Sequence, residues 1–100
     1  MTMGVSMALH EESVLDARFG AYVNHDLAGY HVAANADVRE IEAICIDEDD
    51  PDVNPVGAKG LGEIGIVGTA AAIGNAVHHA TGLRVRTLPI HLDEFVHRLA

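Results

Sequence analysis

One carboxylate sits inside a cluster of glycines. The stretch "GAKGLGEIGIVGTAAAIGNAVHHATG", residues 57–82, holds Gly60-x-Gly62-x-x-Gly65, with Glu63 between the second and third of these glycines. Two chemistries compete for such a segment. Glycines at this spacing, set between a strand and a helix, can bring backbone N–H groups against a dinucleotide pyrophosphate. A glycine loop can instead hold a carboxylate where a proton has to be taken, because a general base needs a fixed position within hydrogen-bond reach.

The dinucleotide reading fails on context. It needs a strand running directly into the first glycine, and here the acidic, proline-containing residues 47–56 intervene. It needs an acidic residue at the end of the next strand, and the next extended segment offers Arg84 and Arg86, with Asp93 too far along. A chain of 100 residues also cannot hold both halves of that fold. A P-loop needs Lys-Ser or Lys-Thr after its glycines, whereas Lys59 precedes them.

What remains is a loop whose glycines, Gly57, Gly60, Gly62 and Gly65, open backbone conformations closed to other residues and permit close approach to a ligand. The loop enters a helix N-terminus, a positive and anion-tolerant end. From spacing alone, Glu63 is either a base or a glutamate that complements the helix dipole. Lys59 either orients the loop or pairs with the acidic run 47–52, or is solvated.

Several elements must position these residues. Ile66, Ala70, Ile73, Val77 and Ala80 recur at steps of four and three, which predicts one helix over 66–80. His78 and His79 suit its last turn, and Gly82 suits a left-handed end. Gly68, Ala72 and Asn75 make a small-residue face open to another backbone. "MTMGVSMALHEE" predicts an N-terminal helix with Met1, Val5, Ala8 and Leu9 on one face. It starts with no lead-in, the expected look of a piece of something longer.

"SVLDARFGAYVN" reads as a strand, or two short strands around a bend at Gly20, and "HDLAGYHVAANAD" as irregular. "VREIEAICID" reads as a strand with Ile41, Ala43 and Cys45 on one side, and Cys45 as a buried small hydrophobe. "LRVRTLPI" reads as a short strand or extended segment, and "HLDEFVHRLA" as a short helix with Leu92, Phe95, Val96 and Leu99 on one face. The fold class is α+β. It is a small fragment with an N-terminal helix, a few strands, a central Ala-rich helix after the glycine loop, and a short C-terminal helix.

Composition narrows the function. The formal charge of −9 disfavours nucleic acid. Apolar residues make up 49% and aromatics only 4%, which suits close backbone packing in one domain. No apolar run approaches the roughly 18–20 residues of a membrane span, and no signal peptide is visible, so the expected location is cytoplasmic. "DEDDPDVNP" lacks the glycine and alternate oxygen ligands of a calcium loop. The histidines are scattered, and the adjacent His78 and His79 diverge on a helix, so no metal-ligating set is expected.

A wider match then weighs on Glu63. "PVGAKGLGEIG" resembles the Gly-x-Lys-Gly-x-Gly-Glu segment near the C-terminus of the molybdenum-binding subunit in the xanthine dehydrogenase and aldehyde oxidase family. "MGVSMALHEE" is similar to the helix after that family's last cofactor-contacting stretch. "GAYVNHDLAGYHVAANAD" resembles its Gly-x-x-x-Asn-x-x-Leu-x-x-Tyr segment, with Val32 and Ala33 where a proline usually follows. "AAIGNAVHHATGLRVRTLPI" resembles its Ala-Ile-Ala-Asn-Ala-Ile helix and Arg-x-x-x-Leu-Pro tail, with Gly74 where alanine is usual.

The resemblance implies a role for each part. Glu63 corresponds to the family's catalytic base, and Gly60 and Gly62 would offer backbone to the cofactor. That cofactor is molybdenum held by a molybdopterin. In the family the base takes the proton of a metal-bound hydroxyl, the oxygen attacks a carbon of an aldehyde or aromatic heterocycle, and hydride passes to a sulfido ligand. Electrons leave through iron–sulfur clusters, often to FAD, on partner domains or subunits.

Residues 1–100 would then be the C-terminal part of a molybdopterin-binding domain, since the family's pterin-binding segments mostly lie upstream. Such a piece is expected to be inactive alone, to bind no cofactor tightly by itself, to pack on the remainder of the subunit, and to self-associate when isolated. A second class of function stays open: a non-catalytic acidic interaction module that keeps the fold.

Overall fold

The computed structural model describes residues 1–99, without the side chains of His97 and Leu99. Four helices and one small hairpin follow in chain order: α1 (Thr2–Leu9), β1 (Leu15–Asp16), β2 (Ala21–Tyr22), α2 (Ile64–Val67), α3 (Thr69–Thr81) and α4 (Asp93–Leu99). The α+β class and the N-terminal, central and C-terminal helices agree with the sequence reading.

The helix α1 organises the rest. Its buried residues are Gly4, Ser6 and Ala8 rather than the Met1-Val5-Ala8-Leu9 stripe; Met1 is exposed, and Val5 and Leu9 are half-buried. Small size decides this. Gly4 lies so close to α3 that a Cβ there would fall 2.6 Å from Thr69 Cβ. The predicted small-residue face of α3, Gly68, Ala72 and Asn75, is instead exposed. The Ser6 hydroxyl accepts the Ala33 N–H at 2.9 Å. The Ala8 carbonyl accepts the Ile90 N–H at 2.7 Å. The helix ends where the N–H groups of His10 and Glu11 both turn back to the Ser6 carbonyl.

The bend predicted at Gly20 is a hairpin turn. β1 and β2 pair antiparallel, Leu15 with Tyr22 and Asp16 with Ala21. Gly20 takes φ +64°, a left-handed value that a side chain disfavours. Asp16 closes the turn, its carboxylate accepting the Arg18 N–H at 2.9 Å and its carbonyl the Gly20 N–H at 2.8 Å. Asn24 extends the hairpin, accepting the Val14 N–H at 2.9 Å and donating to the Glu12 carbonyl. Tyr30 donates its hydroxyl to Glu11 at 2.9 Å, and the carboxylate beside it raises the phenol above its ordinary value.

Three expectations need correction. The helix predicted over 66–80 starts two residues earlier and is broken at Gly68, between α2 and α3. Glycine is a weak helix former, and the Thr69 hydroxyl donates to the Gly65 carbonyl at 2.9 Å beside the break. The strand predicted over 38–47 does not form: the segment carries no regular structure and pairs with no other strand. Cys45 is therefore an exposed free thiol rather than a buried one, and Ile44 and Ile46 beside it are exposed too. Residues 83–90 form no strand and bend at 87–89.

The core is thin. Among the described residues, the buried apolar side chains are Ala8, Pro89, Ile90 and Phe95. On the C-terminal helical face Phe95 is buried, Leu92 and Val96 are exposed, and the Leu99 side chain lies outside the described residues. The helix α3 ends as predicted, with His78 and His79 in its last turn and Gly82 at φ +74°. No helix among the described residues is long and apolar enough to cross a membrane.

Candidate active site

The glycine loop is held at both ends. Downstream, Glu63 is the residue immediately before α2, and its carbonyl accepts the N–H groups of Ile66 at 3.1 Å and Val67 at 3.3 Å. Its carboxylate caps no helical N–H and is exposed. The side chain makes no cap hydrogen bond, and its charge stands at the helix N-terminus, where both readings of Glu63 place it.

Upstream, Asn54 ties a tight turn. Its side-chain oxygen accepts the Val56 N–H at 3.0 Å and the Ala58 N–H at 3.3 Å, and its amide donates to the Ala58 carbonyl at 2.7 Å. Gly57 completes the turn at φ +70°. Sequence reasoning missed Asn54, although an Asn-Pro pair followed by glycine is a known turn signal. Lys59 pairs with the acidic run, its Nζ 2.8 Å from Glu48 Oε2 and 3.0 Å from Asp50 Oδ2. Of the two readings of Lys59, the paired one holds.

Gly60, Gly62 and Glu63 come together with Ile64 and Val67 around an open concavity of about 420 Å³. Left-handed backbone is not what Gly60 and Gly62 supply, for neither has positive φ. What they supply is room: a Cβ at either position would meet nothing within 4 Å. Their peptide groups lie open to whatever faces the concavity.

Glu63 thus shares one open surface with Gly60 and Gly62. They do not form a nest that binds a metal. No group of three or more His, Cys, Asp or Glu side chains that could hold a metal ion occurs among the described residues. His78 and His79 lie on α3, remote in sequence from Glu63, and His91 pairs with Glu12 at 3.2 Å instead.

Comparison with known proteins decides what kind of chain presents such a carboxylate. It is 52% identical over 99 residues to the aldehyde oxidoreductase molybdenum-binding subunit PaoC of Escherichia coli K12, covering 99% of the chain. The chain matches a C-terminal segment of the molybdenum-binding subunits of the xanthine dehydrogenase and aldehyde oxidase family. The putative xanthine dehydrogenase molybdenum-binding subunit XdhA of the same organism is 39% identical over 90% of the chain. The 6-hydroxypseudooxynicotine dehydrogenase complex subunit gamma of Paenarthrobacter nicotinovorans is 29% identical over 95%. The chain spans only 14% of the length of PaoC, and 12% of each of the other two. No family model matches the chain.

Proposed function

We propose that this chain is the C-terminal part of the molybdopterin-binding domain of a molybdenum hydroxylase, residues 1–100, and that Glu63 is its general base. The parent enzyme would oxidise an aldehyde or an aromatic heterocycle with oxygen derived from water. When bound, the molybdenum–molybdopterin group supplies the redox chemistry of that oxidation; iron–sulfur and FAD centres on partner domains or subunits would carry the electrons away.

The residues of this chain do three things in that reading. Glu63 accepts a proton at a carboxylate oxygen and holds it. The α2 helix fixes the Glu63 backbone, so the carboxylate moves only about its own side-chain bonds. Gly60 and Gly62 leave space for close approach and offer peptide groups to the cofactor's surroundings. The single supporting observation is the free carboxylate of Glu63, locked by its backbone at the start of α2 beside Gly60 and Gly62.

Glu63→Gln in the full-length enzyme removes the proton acceptor while keeping shape. Loss of a general base lowers turnover by about 10²–10⁴-fold, and molybdenum content should stay near that of the wild type. Turnover within a few-fold of wild type in a molybdenum-loaded Glu63→Gln enzyme would refute the assignment.

A further inference from the structure

We propose that Lys59 and Asn54 are positioning residues for Glu63. The proposal rests on Glu63 being the base. The carboxylate sits between two anchors. Downstream, its own carbonyl is tied into α2 through Ile66 and Val67. Upstream, Asn54 closes the 54–58 turn with three side-chain hydrogen bonds, and Lys59 bridges Glu48 and Asp50. Only Gly60, Leu61 and Gly62 lie between, and neither glycine packs against anything.

The acidic run 47–52 makes the bridge consequential. It carries the like charges of Asp47, Glu48, Asp49, Asp50 and Asp52 in six residues. The Lys59 ammonium is drawn against two of these carboxylates at once and pins the run beside the glycine loop. Remove it, and the acidic run is released from the glycine loop, so that the free span before Glu63 begins at the Asn54 turn and takes in residues 59–62. A longer free span has more conformations to lose whenever the carboxylate is brought into line, and small misplacements of a reacting group are costly in rate. Lys59 and Asn54 touch no reacting atom in this account; they act through where they leave Glu63.

The test is hydrogen–deuterium exchange in the assembled enzyme, on peptides spanning 54–63, together with steady-state kinetics. Partly exposed ion pairs contribute modestly, so the expected changes are about fivefold. Lys59→Met and Asn54→Ala should each speed exchange of the Val56, Gly57 and Ala58 amides by about that factor. Each should lower kcat by a similar factor while KM and molybdenum content hold. Lys59→Arg keeps the charge and should restore both. Exchange in Lys59→Met as slow as wild type overturns the proposal, and so does full kcat despite faster exchange. Failure of the underlying assignment looks different: Glu63→Gln would then retain turnover while Lys59→Met still speeds exchange.

Discussion

At residue scale, the carboxylates of this chain divide by what their oxygens already do. Asp16 is consumed by its hairpin: Arg18 bridges it at 2.7 Å and 3.0 Å, and that side-chain pairing, helped by the Arg18 N–H, holds the carboxyl below its ordinary value of 3.8. A depressed carboxyl stabilises the folded form above the ordinary value and loses that contribution as pH falls through the folded one. The Asp16 carboxyl should therefore titrate below 3.8 by NMR in wild type and return toward 3.8 in Arg18→Met; an unchanged midpoint in the variant contradicts the account. Glu63 is the opposite case, with its backbone bonded and its carboxylate free. The glycine spacing alone left Glu63 open between a base and a glutamate that complements the helix dipole; the family resemblance singled it out. Asn54 was less legible, since its work lies in contacts with residues two and four positions on rather than in a periodic pattern.

At the scale of elements, patterns that need no partner were readable. α3 shows the 3.6-residue repeat and carries its own stop at Gly82; the hairpin carries its own turn at Gly20. Elements that need a neighbour were misread. The alternation through Ile41, Ala43 and Cys45 is a strand pattern, yet a strand exists only when another strand supplies its ladder. The break at Gly68 was hidden because the apolar stripe runs across it. The packing of α1 on α3 depends on size at one position. Gly4→Ala would drive a Cβ to 2.6 Å from Thr69 Cβ, and overpacking of this kind costs about 1–3 kcal/mol. A lowered unfolding midpoint of the subunit in urea is the expected outcome; an unchanged midpoint would mean the two helices can slide apart freely.

At the scale of the whole molecule, the chain is too extended for its length. Its radius of gyration is 18.1 Å, against about 13 Å for a compact domain of this size. Its extents are 55 × 37 × 25 Å. Large apolar side chains stand in water, among them Ile44 and Ile46 on the unpaired segment, Val56 and Val67. Apolar surface on this scale belongs at an interface; in the proposed reading the remainder of the subunit supplies it. The isolated 100-residue chain should therefore self-associate and bind a hydrophobic dye, as read by sedimentation velocity and dye fluorescence. A dye-silent monomer with a sharp cooperative melt would contradict this.

The central claim is about where one side chain points in the assembled enzyme. A crystal structure of the full-length subunit with its molybdenum cofactor in place measures this directly. The account predicts a Glu63 carboxylate oxygen within hydrogen-bonding reach of a ligand of the molybdenum, with Gly60 and Gly62 lining the approach. A Glu63 carboxylate turned to bulk water, far from the metal, would contradict it.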